Sequence, residues 1–295
     1  MEPDAIPRLR SFNRTVTQRI GALHAEYLTR DRPLGASRVL WEIGLGGCDA
    51  RALRSRLELD SGYLSRLLRS LERAGLVIVE PDPTDQRVRA VRLTELGVME
   101  RETLDRQSNE LAWSLLAPLD EAQRARLLDA MGVVERLLTA GLVEIAIEDP
   151  SSDAAGRCLR SYFAELDSRF EAGFDPTRSI SADASELSGS TGLLLVGRLR
   201  GEPIGCGALK LHGRGPAEVK RMWVATAARG LGVGRRILGE LERHARERGV
   251  EVLRLETNRS LGEAISLYRS AGFAEVAPFN DEPYAHHWFE RRLDH

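Results

Sequence analysis

Apolar positions recur at spacings of three and four through the first half of this chain, and alternate or cluster in short β-branched runs through much of the second. Phe12, Val16, Ile20, Leu23 and Tyr27 mark a helical stripe over Leu9–Thr29, which Asp31-Arg-Pro-Leu-Gly35 breaks. Ala36–Ile43 reads as a second, short helix and Gly44–Gly47 as a turn. A third helix starts at Asp49 or a neighbour and runs through Leu57. Asp60 is placed to cap a fourth, Ser61–Ala74, with Gly75 just past its end. Leu64, Leu67, Leu68 and Leu71 form the buried face of that fourth helix, and Ser61, Tyr63, Ser65, Arg66, Arg69, Ser70 and Arg73 face outward. Leu76–Glu80 and Val88–Leu93 are β-segments around a polar tip that contains proline. Thr94 then caps a long helix, Glu95–Leu116; Pro118 stops it, and Ala122–Leu138 makes another.

From Val143 the pattern changes. Val143–Ile147 is a strand, and Ala154–Phe170 a helix with Leu159, Tyr162, Phe163, Leu166 and Phe170 on one stripe. Asp175–Gly192 is loop-like. Leu193–Leu199 and Ile204–Leu211 form a hairpin, and Val219–Val224 is a third strand of the run. A helix bearing Ile237, Leu238, Leu241 and Ala245 comes next. Then come strand Val250–Thr257, helix Leu261–Ala271 ending at Gly272, and two strands, Phe273–Pro278 and His286–Arg292. One periodic helix ends and a strand begins near Ala140–Gly141. The chain therefore divides into residues 1–141 and 142–295: an all-α domain with a β-wing, followed by an α/β domain. No internal repeat is visible.

Composition adds bounds rather than identity. At 295 residues, 42% hydrophobic and 29% charged, the chain has material for two cores. No apolar run approaches a membrane span. The polar, acidic start M-E-P-D-A-I-P-R is not that of a signal peptide, and a cytoplasmic protein is expected. Cys48, Cys158 and Cys206 are odd in number and far apart, which supports neither a disulfide framework nor a metal knuckle; reduced thiols are expected. His286 and His287 are adjacent on a strand and point to opposite faces, which makes no metal site. A net charge of −2 argues against a coat for nonspecific nucleic-acid binding without excluding a local basic face.

The candidate chemistry centres on Ala217–Leu238. A strand runs into glycines at alternate positions, Gly230, Gly232 and Gly234, and a helix starts at once. Glycine lets backbone approach a ligand, and the first helical turn offers unpaired N–H groups at the positive end of its dipole, which suits a diphosphate. Arg229, Arg235 and Arg236 add charge. The spacing fits neither the dinucleotide fingerprint nor the P-loop. The run Arg229-Gly230-Leu231-Gly232-Val233-Gly234 resembles the R/Q-x-x-G-x-G/A loop of the GNAT acetyltransferases, and the second half repeats that family's order of elements. The resemblance implies a mixed central sheet and acetyl-CoA as co-substrate, with no metal. Arg229 to Arg235 would hold the pyrophosphate, and the backbone at Met222 and Val224 the pantetheine arm. A-I-S-L-Y-R-S-A-G-F at 264–273 resembles the family's A-x-x-L-Y-x-x-x-G-F signature, which implies that Tyr268 is the general acid at the coenzyme sulfur. Glu218, on the strand before the loop, is the candidate general base, or else a carboxylate paired with Lys220 or Arg221. Leu261 stands where many members carry a coenzyme-contacting asparagine; Asn258 is the candidate substitute.

The first half resembles the MarR family of winged helix-turn-helix regulators. The matching residues are D-S-G-Y-L-S-R-L-L-R-S-L-E-R-A-G-L-V at 60–77, Asp85 and Arg87 on the wing, and L-T-x-x-G at Leu93–Gly97. The resemblance implies a homodimer through the first and last helices on a palindromic DNA operator. Ser61, Tyr63, Ser65, Arg66, Arg69 and Arg73 would enter the major groove, and Arg87 the minor groove. Three functions stay open on sequence: an N-acetyltransferase of a primary amine fused to a DNA-binding regulator, an acetyltransferase whose winged-helix half only dimerises, and a regulator that senses acetyl-CoA without catalysis.

Overall fold

Residue 129 is where the chain passes from one unit to the next, Met1–Asp129 and Ala130–His295. The computed structural model describes residues 4–22, 28, 32–81, 88–180, 182–213 and 215–293. The first unit contains α1 (Ala5–Arg19), α2 (Leu34–Ile43), β1 (Cys48–Asp49), α3 (Ala50–Leu57), α4 (Ser61–Arg73), β2 (Val77–Pro81), β3 (Arg89–Leu93) and α5 (Glu95–Leu116). Helix α6 (Glu121–Gly141) starts there and carries the chain across the boundary. Asp49 and Asp60 cap α3 and α4 by accepting from the amides of Arg51 and Tyr63. Leu64, Leu67, Leu68 and Leu71 of α4 close on Val39, Leu40 and Ile43 of α2 and on Leu53 of α3. The hairpin gains a third strand that the sequence did not announce, because Cys48–Asp49 pairs with β3. Helix α1 is shorter than predicted: it closes at Arg19, with Gly21 in a left-handed conformation, and Leu23 and Tyr27 lie outside the described residues. Ile6, Leu9, Phe12 and Val16 on α1 are exposed, as are Trp113 on α5 and Leu128, Met131 and Leu137 on α6.

The second unit continues as β4 (Val143–Glu148), α7 (Asp153–Arg169), β5 (Gly192–Leu199), β6 (Glu202–Lys210), β7 (Ala217–Val224), α8 (Val233–Glu247), β8 (Val252–Thr257), α9 (Gly262–Ser270), β9 (Ala274–Val276) and β10 (His287–Arg292). The predicted order of elements is reproduced. One mixed sheet runs β4-β5-β6-β7-β8-β10-β9, antiparallel except for β7 beside β8. Strand β5 is buried on both sides: Leu193 and Leu195 join the core under α8 and α9, and Leu194 and Val196 the smaller core under α7. That double burial is why β5 reads as a continuous apolar run instead of an alternating one.

Strand β7 departs from regular pairing on both of its edges. Its pairing with β8 covers only Ala217↔Leu253 and Glu218↔Arg254. Its register against β6 also slips by one residue, so that Arg221 and Met222 together oppose Gly207. Arg221 sits at φ +57 in this bulge. A bulge bends its strand and increases the local twist, and here it lies where β7 leaves β8.

Candidate functional site

The parting of β7 from β8 opens the sheet between its two faces. Two cavities occupy the opening. The larger, about 490 Å³, lies against the glycine loop. The smaller, about 80 Å³, lies toward the loops after α7 and before β10. Tyr162 and Leu166 of α7, Met222 of β7, and Leu261, Ala264 and Tyr268 on the α9 side line both cavities. Helices from opposite faces of the sheet meet at these walls only because the two strands diverge.

At the larger cavity a 3₁₀ turn, Thr226–Ala228, delivers the chain to the glycines. Gly230 and Gly232 have φ of +84 and +74, conformations that strain any L side chain. Gly234 is crowded for a different reason: a Cβ there would press on the Leu267 side chain at 3.3 Å. No side chain caps α8, and its first α-helical bond beyond the cap runs from the Arg236 amide to the Gly232 carbonyl. The amides of Val233, Gly234 and Arg235 thus precede that ladder, on residues that line the cavity. The arginines are less free than their spacing suggests. Arg229 forks onto Glu165 at 2.6 Å to each oxygen, Arg235 donates to Ser270, and Arg236 donates to the carbonyls of Ala140 and Val143 at 2.7 Å each. Burial alone raises the Glu165 carboxyl, but Arg229, Arg169 and Trp223 outweigh it and hold it below the usual carboxylate range.

Tyr268 is buried, and its phenol is pushed well above the ordinary tyrosine value by burial first, then by Tyr162 and Glu256. Burial likewise raises the Tyr162 phenol, against a smaller opposing effect of Arg221. A carboxylate chain stands beside them. Glu256 lines the smaller cavity and pairs with buried Lys220, whose Nζ also lies 2.9 Å from Glu218. His212 meets Glu218 from the other side at 3.0 Å. Burial disfavours the Lys220 charge, but Glu256 and Glu218 outweigh it and raise its pKa; Lys220 in turn overcomes burial to lower that of Glu218.

In the first unit, Ser61, Ser65, Arg66, Arg69 and Arg73 share the exposed face of α4. Arg66 lies over the Tyr63 ring, centroid distance 5.6 Å. The Tyr63 ring tip sits against α2, where a Cβ on Gly35 would meet its hydroxyl at 2.7 Å. A groove of about 360 Å³ runs beside this face, lined among others by Arg51 and Arg54 of α3, Arg69 of α4 and Arg89 of β3.

Residues 159–273 match the Acetyltransferase (GNAT) family model, and residues 31–88 match the MarR family model. The IAA acetyltransferase of Azospirillum brasilense is 39% identical over 144 residues, covering 48% of this chain and 90% of that protein. The chain belongs to the GNAT acetyltransferase family. It joins a MarR-like N-terminal region to a C-terminal GNAT domain, and it is an acetyltransferase. Among solved structures, a putative acyl-CoA N-acyltransferase from Klebsiella pneumoniae covers 52% of this chain and 99% of its own at 27% identity and a TM-score of 0.42. A probable transcriptional regulator from Pseudomonas aeruginosa covers 42% of this chain and 93% of its own at 24% identity and a TM-score of 0.37.

Within the GNAT domain, the structure gathers Met222, Val224, Arg229, Gly230, Gly232, Val233, Gly234, Arg235 and Tyr268 around the larger cavity. Leu231 instead packs into the core under α8. Asn258 lines the smaller cavity, where its amide donates to the Tyr284 carbonyl and accepts from the Ser260 amide. Glu218 lines neither cavity and stands behind Lys220. Arg87 lies outside the described residues. Sequence reading missed Glu165 and Glu256, whose partners are distant in the chain. It placed Tyr162 on a packing stripe without seeing that the stripe ends in the gap between strands. Arg51, Arg54 and Arg89 carry no motif of their own. Among the described residues no group of three or more His, Cys, Asp or Glu is placed to hold a metal ion, and no helix is long and apolar enough to cross a membrane.

Proposed function

We propose that this enzyme transfers the acetyl group of acetyl-CoA to a primary amine, with the coenzyme in the larger cavity and the amine in the smaller. The observation that carries this reading is the wall common to both cavities, Tyr162, Met222 and Tyr268 among it, where two ligands can meet. The glycine cradle and open helix start fit a pyrophosphate, and the apolar side chains of Met222, Val224 and Leu267 fit the arm. Acetyl-CoA supplies the acetyl group as a thioester: the amine nitrogen bonds the acetyl carbon as the carbon–sulfur bond breaks.

The ammonium gives up two protons. One leaves through the Glu256 carboxylate to solvent, with Lys220 and Glu218 fixing that carboxylate in place. The other ends on sulfur. A thiolate is a weaker base than a phenolate, so Tyr268 acts as a hydrogen-bond donor to the departing sulfur and its own proton is replaced in step from the amine. A backbone amide of β7 in the bulge serves the carbonyl oxygen as its charge develops. Release of free thiol from acetyl-CoA against a panel of primary amines tests this; no release above the acceptor-free rate with any of them would overturn it.

The MarR-like region, in this reading, forms a homodimer through the apolar faces of α1, α5 and α6 and binds a palindromic operator with α4. Ser61, Ser65, Arg66, Arg69 and Arg73 supply the contacts, and Arg87 completes them from the wing. Exposed large apolar side chains on those helices support the dimer. Selection from a random duplex library at low salt tests DNA recognition; enrichment of no sequence would leave this region as a dimerisation module.

A further inference from the structure

The charged groups around the smaller cavity are unequally satisfied. Lys220 is held between Glu218 and Glu256. Glu256 also accepts from Asn280. Glu282 is buried, and its oxygens accept from the Ile180 amide at 2.7 Å, the Ser179 hydroxyl at 3.0 Å and the Tyr284 amide at 3.3 Å. Arg221 is different. It lines the cavity from the bulge of β7, half-buried, and no carboxylate or other acceptor among the described residues meets its guanidinium. The guanidinium lies 4.9 Å from the centroid of Phe163 and 6.0 Å from that of Tyr162. Stacking of this kind holds the plane of a guanidinium while leaving its N–H edge unspent. The rest of the wall is apolar and aromatic: Phe170, Phe174 and Tyr284 pack ring against ring, 4.8–5.7 Å between centroids.

A positioned guanidinium with free donors, at the edge of an aromatic cavity, matches a carboxylate, which it can take in fork geometry. We infer that the acceptor is a small amino acid, an amine that carries its own carboxylate, with Arg221 holding the carboxylate and Phe170, Phe174 and Tyr284 packing an apolar or aromatic side chain. This rests on the acetyltransferase reading of the same cavity. The bulge that puts Arg221 at φ +57 also returns Met222 to the core side of β7, so one backbone irregularity both opens the coenzyme arm's path and aims the acceptor's anchor.

The experiment measures thiol release from acetyl-CoA by the full chain with matched acceptors: L-phenylalanine and L-leucine, their decarboxylated amines, L-phenylalaninamide and a lysine-containing peptide. The expected result is a kcat/KM for the free amino acids at least tenfold above that of the decarboxylated and amidated partners and of the peptide. In Arg221→Gln that ratio should fall to about threefold or less through a higher KM for the carboxylated acceptor, with Arg221→Lys between. Calorimetric binding of acetyl-CoA without acceptor, at wild-type strength in both variants, shows that they are folded. A wild-type preference for the uncharged partners or the peptide overturns the inference, as does a variant that loses activity on all acceptors equally. Thiol release with other amines alone sinks the amino-acid assignment and leaves the transfer reading standing. Intact acetyl-CoA binding with no thiol release from any amine sinks both.

Discussion

Tyr268 keeps its proton across working pH because burial withdraws solvent from the phenolate, and nearby Tyr162 and Glu256 add to the cost of ionising it. Replacing it with phenylalanine removes the hydroxyl proposed to reach the sulfur, and little volume. Tyr268→Phe should lower kcat by about a hundredfold with the calorimetric Kd for acetyl-CoA unchanged. The carboxylates can be ranked in the same way. Glu256→Gln should lower kcat/KM, and Glu218→Gln should cost less than Glu256→Gln, because Glu218 lines neither cavity. A larger loss from Glu218→Gln in steady-state kinetics would return the base role to that residue. Lys220 belongs to stability. Its folded pKa is raised, so its contribution is complete below about pH 10 and is lost as pH rises through the folded value. That of Glu218 is lowered, so its contribution is complete above about pH 4.3 and is lost as pH falls through the folded value. Lys220→Met leaves two carboxylates facing each other and should cost about 3–5 kcal/mol near neutrality, read by denaturant unfolding of the transition that acetyl-CoA shifts.

At the scale of elements, one glycine ties a helix to the winged hairpin. Thr94 donates its hydroxyl to the Gly75 carbonyl and its amide to the Leu76 carbonyl, then caps the Gly97 amide. The start of α5 is thereby pulled so close that a Cβ on Gly97 would sit 1.9 Å from the Leu76 oxygen. Gly97→Ala must push α5 off β2. We expect a loss of more than about 2 kcal/mol from the first unit's unfolding transition, against the small gain that alanine brings to an unhindered helix. The L-T-x-x-G run was visible in sequence, but its reason was not: the clash is with the Leu76 carbonyl, on the residue just before β2. Strand β1 was invisible for a similar reason, since two residues carry no period.

At the scale of the whole molecule, the hydrophobic clusters of the two units share no residue. Separate cores unfold as separate transitions unless an interface couples them strongly. Scanning calorimetry should therefore show two transitions, of which acetyl-CoA at about a hundred times its Kd stabilises the GNAT one by about 2.7 kcal/mol. A single transition that moves as one would show instead that the units fold together. Two separate transitions would also make Gly97→Ala a probe that weakens the MarR-like unit without reaching the acetyltransferase.

The sequence by itself determined the order of the second unit's elements, most helices of the first and the glycine loop, because helix period, caps, breakers and the left-handed glycines are local properties of the chain. It also presented Tyr268 within a recognisable run. Only the tertiary structure decided which charges are spent and which are free. Arg229 and Arg236 read as charge around a diphosphate until Glu165, Ala140 and Val143 occupy them, and Arg221 read as a strand cation until the slip against Gly207 turned it into a cavity. Ion pairs and cavities are made by residues far apart in the chain, and their partners are chosen by sheet register. One residue of slip in β7 decides which side chains face the opening between β7 and β8, and no local period records it.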